Sequence, residues 1–287
     1  MNDPRQVLTR PGPPPELTMR YGEAPDQVID LWLPTRSAPA PLVVFLHGGF
    51  WRAAYDRRHT YSLAADLASR GYAAASVEYR RTGQQGGGWP GTFDDVAHAV
   101  DAAPRLAAVH APGQVDERRW ALAGHSAGGH LALWAAARHR LPDSCAWRRP
   151  YPETLRGVLA LAPVCDLVAA YARGLGEAAT VALMGGGPEQ VSDRYRLGDP
   201  RRLLPSGVRT TVVHGELDLQ VPIDLSRHHV AAAHAAGDPI TLLEQAEAEH
   251  FALIEPRSGA WPAVISALGD LLPAAAPAEA DGPQGPR

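Results

Sequence analysis

The chain has 287 residues, with 27 basic and 31 acidic side chains and a formal net charge of −4. Neither sign forms a long run, which argues against nucleic acid or a membrane surface as the main partner. Every basic residue is arginine, as a GC-rich coding bias produces without any binding role, and the two cysteines, Cys145 and Cys165, are too few for a disulfide framework and read as structural.

The start, MNDPRQVLTRPGPPPELT, has no apolar core of signal-peptide length, and no later segment approaches a membrane span, so a cytoplasmic protein is expected. Residues 1–15 are rich in proline and are expected to be disordered, as is the tail from 273 to 287; residues 16–272 read as one domain. Apolar β-rich runs lie at 17–21, 27–33, 42–46, 74–79, 120–123, 158–161, 210–213 and 240–243. The third, Leu42-Val-Val-Phe-Leu46, has no polar alternation and reads as a central strand covered on both faces.

Helical patterns fall between these runs. Thr92 is the expected cap of a helix carrying the stripe Phe93, Val96, Val100 and Leu106, and Trp261, Val264, Ile265, Leu268 and Leu272 repeat at helical spacing near the end. Strands alternating with helices predict a mostly parallel eight-stranded sheet with helices on both faces. The irregular stretch 163–208 is too long for an ordinary connection and is expected to be a helical lid insertion after the sixth strand.

The sharpest chemical signal is Gly124-His125-Ser126-Ala127-Gly128, placed between an apolar strand and an apolar helix. This is the G-x-S-x-G nucleophile elbow, a strained strand-to-helix turn that lifts a serine hydroxyl above the sheet edge. A serine that attacks a carbonyl needs backbone N–H groups already aimed at the oxygen that becomes an anion. Ala127 supplies one, and His47-Gly48-Gly49-Phe50-Trp51, after the third strand, is placed to supply another. His47 reads as a group that holds this loop by hydrogen bonds, with a ligand or base role as the competing reading. His125 and His130 read as packing groups, lacking zinc-site company.

In such a fold the order along the chain is nucleophile, acid, base. Asp218, in Val213-His-Gly-Glu-Leu-Asp218, is the expected acid, with Glu216 and Asp166 behind it and a helix cap as its structural alternative. His250, in Glu247-Ala-Glu-His250, is the expected base, while His228, His229 and His234 look like solvated groups on an amphipathic helix.

Taken together, HGGFW, GHSAGGHLA, HGELDLQVP and EHFALIEP resemble the kynurenine formamidase (arylformamidase) branch of the α/β-hydrolases, over most of residues 17–272. The resemblance implies an α/β-hydrolase fold and a triad of Ser126, Asp218 and His250. It puts the loop donors at Gly49 and Phe50, with Gly48 shaping the approach beside Ala127. It implies no cofactor and no metal. An N-formyl aryl amine would need a small acyl pocket and a wider aromatic slot, for which Phe50, Trp51, Tyr55 and Trp89 are candidate walls; ordinary packing is the alternative for all four. Similar sequences include esterases and hydrolases of secondary metabolism, so ester and formamide stay open together, the alternative being a carboxylesterase acting on short-chain acyl esters or on a secondary-metabolite ester or amide. The expected partner is a small-molecule substrate, with no nucleic acid and no membrane, and a homodimer is the assembly left open.

Overall fold

Eight strands form one sheet in the computed structural model, which describes residues 3–35, 39–151 and 153–274. They are β1 (Leu17–Arg20), β2 (Val28–Trp32), β3 (Ala40–Leu46), β4 (Ala73–Val77), β5 (Val115–His125), β6 (Leu155–Leu161), β7 (Thr210–Gly215) and β8 (Ile240–Gln245). Their spatial order is β1-β2-β4-β3-β5-β6-β7-β8. β1 and β2 run antiparallel at one edge, and the rest are parallel. All eight apolar runs read from the sequence are strands, displaced by a few residues at their ends.

The alternation of side chains along β3 shows why its sequence has no polar face. Leu42, Val44 and Leu46 join a core with α2 (Gly91–His110), α3 (Ala127–Ala136) and α7 (Asp224–Ala235), through Phe93, Val96, Trp134 and Val230. Val43 and Phe45 join the opposite core with α1 (Tyr61–Ser69) and α8 (Trp261–Leu271), through Leu67, Trp261 and Leu268. A strand buried on both faces gains apolar burial from every residue.

The stretch between β6 and β7 is helical, as expected: it holds α4 (Leu167–Ala172), α5 (Leu175–Met184) and α6 (Ser192–Gly198). Thr92 is not the cap of α2, which starts at Gly91 behind Pro90. Its hydroxyl instead donates to the Arg80 carbonyl at 2.6 Å and accepts from the Gly88 N–H at 3.0 Å, tying down the loop before the helix. Among the described residues no helix is long and apolar enough to cross a membrane.

The amino-terminal segment differs from the expectation of disorder where it is described, from residue 3. Pro4–Leu8 form a 3-10 turn whose first N–H groups are capped by Asp3, Val7 is buried in the α1/α8 core, and Arg10 donates to Glu255 at 2.7 Å. Val7 and the partly buried Leu8, the Arg10–Glu255 ion pair and a hydrogen bond from Trp32 Nε1 to Pro13 O dock a segment whose composition alone would leave it free. The expected disorder of residues 1–2 and 275–287 falls outside the described residues. Val7→Ala is expected to lower stability in urea titrations by about 1–2 kcal/mol, the value of the methyl groups lost from the core. A segment that is undocked in solution would show no change.

Candidate active site

Ser126 stands between β5 and α3 with φ 57° and ψ −117°, a conformation that L residues avoid. Its N–H donates to Leu161 O at 2.8 Å, and its carbonyl accepts from His130 and Val164. The glycines around it are required by close approach. A Cβ at Gly128 would run into the carbonyl oxygens of Leu46 and His47, and one at Gly129 would lie 2.8 Å from Pro163 Cβ. The start of α3 therefore presses directly against the end of β3.

That approach carries the His47–Trp51 loop to the serine. A Cβ at Gly48 would sit 3.0 Å from His125 Nδ1 and 3.2 Å from Ser126 Cβ, so the two backbones are in contact there. Gly49, Phe50 and Trp51 then take positive φ values of 107°, 49° and 57°. Among the described residues, no backbone carbonyl accepts from the N–H of Gly49, Phe50 or Ala127. Ala127 is the first residue of its helix, where an N–H has no intrahelical partner and the macrodipole favours negative charge.

His47 holds this loop, as its sequence position suggests. Its Nδ1 lies 2.8 Å from Gly48 O and its Nε2 lies 2.9 Å from Glu78 Oε1, and its ring stacks on Tyr79 with centroids 4.4 Å apart. Tyr79 donates its hydroxyl to His47 O at 2.7 Å. Glu78 also faces Arg57 and Arg81, each at 3.4 Å, and Arg57 Nε reaches Asp30 at 2.6 Å. Burial alone would raise the Glu78 carboxyl, but the charge and hydrogen bond of His47, with Arg81 and the Arg57 N–H, hold it down at about 2.

On the opposite wall, Asp218 Oδ2 accepts from His250 Nδ1 at 2.6 Å, while Oδ1 accepts from the N–H groups of Gln220 and Val221 at 2.8 and 2.9 Å. Burial would raise the Asp218 carboxyl; the hydrogen bonds from His214 and His250 outweigh it and hold the group well below the carboxylate range. With Nδ1 donating to Asp218, His250 keeps Nε2 as the nitrogen able to take a proton. His250 and Ser126 are not hydrogen-bonded to one another among the described residues, and His125 links their surroundings. His125 Nε2 donates to His250 O at 3.0 Å, and the two rings lie 4.4 Å apart. Burial first, and the nearby His250 second, depress the His125 imidazole, so it stays neutral beside His250.

Of the four candidate wall aromatics, Phe50 is half-buried and Tyr55 exposed, with Tyr55 packed over Gly49. Trp51 is buried edge-on to His130 at 5.2 Å, and Trp89 packs 5.0 Å from Phe93 and 4.8 Å from Trp147. These two large rings gain more from the core than from the cleft. Glu216, the alternative acid, is exposed; Asp166 caps α4 through Ala169 N at 2.8 Å. His229 is buried rather than solvated, because α7 turns that face toward the core; its burial lowers its pKa to about 4.

Glu78 and His214 are site residues that sequence reasoning did not single out. His214 lies 2.7 Å from Ser226 Oγ, 2.8 Å from Val221 O and 3.2 Å from Asp218 Oδ2, so it fixes the loop that presents Asp218. A signal existed in both cases: a charged or titratable residue at the carboxyl end of a buried strand. Among the described residues, no group of three or more His, Cys, Asp or Glu side chains is placed to hold a metal ion.

The chain matches the family model BD-FAE over residues 29–232. It is 30% identical over 234 residues to the isoprenylcysteine alpha-carbonyl methylesterase ICME of Arabidopsis thaliana, covering 76% of this chain and 52% of that protein. It is 25% identical over 245 residues to a kynurenine formamidase of Danio rerio, covering 82% of this chain and 74% of the other. It thus spans about half the length of the plant methylesterases it matches. Among solved structures, the propionate-bound thermophilic esterase Est2 of Thermogutta terrifontis superposes with a TM-score of 0.68 at 20% identity, covering 91% of this chain and 96% of that one.

Acid stability tests the buried charges. His59, His130 and His229 are each lowered to about 4 by burial, from an ordinary 6.5 that the unfolded chain retains. Their folded values lie below the unfolded ones, so stability is fullest above pH 6.5 and falls as pH drops toward 4; Glu78 adds a second loss between 4.5 and about 2. Glu78→Ala is expected to lose about 3–5 kcal/mol at neutral pH, by leaving His47 without its carboxylate partner and Arg57 and Arg81 with only Asp30 and Asp26. It should also shrink the lower step, to which Asp218 still contributes, while leaving the upper one, as read by urea unfolding at each pH; an unaltered lower step would count against the assignment.

Proposed function

The chain belongs to the BD-FAE family and to the α/β-hydrolases, and we propose that it is a serine hydrolase that cleaves an aryl formamide through a formyl-enzyme. The observation that carries the reading is the buried 2.6 Å pair of His250 and Asp218 behind a serine held on a left-handed elbow. In this reaction Ser126 Oγ attacks the formyl carbonyl and passes its proton to His250 Nε2. Asp218 keeps the ring oriented and offsets the imidazolium charge. The N–H groups of Ala127, Gly49 and Phe50 receive the oxygen as it becomes an anion. His250 then protonates the departing aryl amine, and a water attacks the formyl ester by the same route, releasing formate and restoring Ser126. The likeness to the Danio rerio kynurenine formamidase, together with the HGGFW loop, supports the formamide as substrate.

A second reading, a carboxylesterase acting on short acyl esters, has its own support in the likeness to the plant methylesterase over 76% of the chain. It uses the same residues with an alcohol as leaving group. Chromatographic loss of N-formylkynurenine, set beside hydrolysis of p-nitrophenyl acetate, separates the two; ester turnover with no formamide turnover would retire the first reading. Ser126→Ala is expected to lower either activity by about 10⁴-fold or more and to abolish labelling by a fluorophosphonate. A wild-type protein that resists the label would refute the serine mechanism itself.

A further inference from the structure

Two strained turns meet where Phe50 rests on Gly176. One is Gly49-Phe50-Trp51 of the His47–Trp51 loop, all at positive φ. The other opens α5, where Gly176, Glu177 and Ala178 take φ values of 58°, 53° and 62°. Side chains crowd the backbone in this region, so such turns persist only where their surroundings hold them, and they gather at working sites.

The turns hold each other. A Cβ at Gly176 would lie 2.6 Å from the Phe50 ring, so glycine is what allows the ring to rest on that backbone. Arg52 reaches back across the same gap: one guanidinium nitrogen donates to Gly176 O, and another lies 3.2 Å from Glu177 Oε2. The Glu177 side chain is 88% exposed, so its ion pair adds little, and the carbonyl bond and ring contact do the holding. The loop's far side is fixed separately. Trp51 O accepts from Thr82 N at 2.7 Å and from Thr82 Oγ1 at 2.9 Å, and Ala53 N donates to Thr82 O at 3.0 Å. The peptide that carries the Phe50 N–H is tied within the loop, its Gly49 carbonyl accepting from the Arg52 N–H at 3.0 Å; among the described residues, the Arg52 side chain and Gly176 are what join it to the segment between β6 and β7.

We propose that Arg52 and Gly176 are positioning residues, by which the segment between β6 and β7 clamps Phe50 so that its N–H stays aimed at the developing oxyanion. The inference rests on the reading of Phe50 as an oxyanion donor. A donor that matters only once the anion forms acts on kcat and leaves substrate binding nearly alone.

The test is made with p-nitrophenyl acetate, which does not depend on the formamide question, and with the phosphonylated enzyme. Arg52→Ala is expected to lower kcat about 10- to 100-fold with KM within about twofold, at an unchanged melting temperature. Arg52→Lys should recover part of the loss, since an ammonium can still reach Gly176 O. Gly176→Ala should show the same kcat split by displacing the ring. In ¹⁵N spectra, phosphonylation of Ser126 should shift the Phe50 amide resonance in the wild type, and much less in Arg52→Ala. If that amide moves equally in wild type and Arg52→Ala, or if Arg52→Ala keeps its kcat or raises only KM, the clamp is refuted. An amide that does not move even in the wild type removes the donor reading, and the clamp's purpose with it.

Discussion

The site depends on how closely two backbones approach where β3 ends and α3 begins. Gly128 lies so near the carbonyls of Leu46 and His47 that no side chain fits between them. This contact sets the helix start against the sheet, and it brings Gly48 to the edge of Ser126. A loop that would otherwise be one among several at the sheet's end becomes the wall beside Ser126. Close approach of this kind is available only to glycine, because a Cβ elsewhere keeps backbones apart.

Around that contact the molecule arranges a polar network on each side. On one, His47 ties the loop through Gly48 O to Glu78, and Glu78 draws in Arg57 and Arg81. On the other, Asp218 is fixed by two backbone N–H groups and by the rings of His214 and His250. Buried charges of this kind are costly unless every partner is present, and the partners are what lock the geometry. The two networks differ in purpose. The first holds a strained backbone still, while the second leaves one nitrogen of His250 uncommitted.

Most of the architecture can be read from the chain, because strands buried on both faces leave an unbroken apolar signature and glycines mark the turns that need them. The elbow at Ser126 and the loop at His47 could be found this way, as each is a local pattern in a few residues. Thr92 and the amino-terminal segment were less transparent. In the first a hydroxyl serves a loop rather than a helix end, and in the second Val7 joins a core built by α1 and α8 while Arg10 finds its partner more than two hundred residues away. His229 misled for a related reason, since a histidine's spacing on α7 does not say how far that helix is rolled into the core.

By itself the sequence determined the order of strands and helices, the elbow, and the candidate acid and base, since all of these are written in short-range patterns of apolar, glycine and titratable residues. Only the tertiary structure decided that Asp218 rather than Glu216 meets His250, that Glu78 and His214 hold the two walls, and that Arg52 and Phe50 close on Gly176. Those are meetings between residues far apart in the chain, fixed by the crossover of parallel strands and the depth to which each side chain is buried, and neither quantity is encoded in any single stretch.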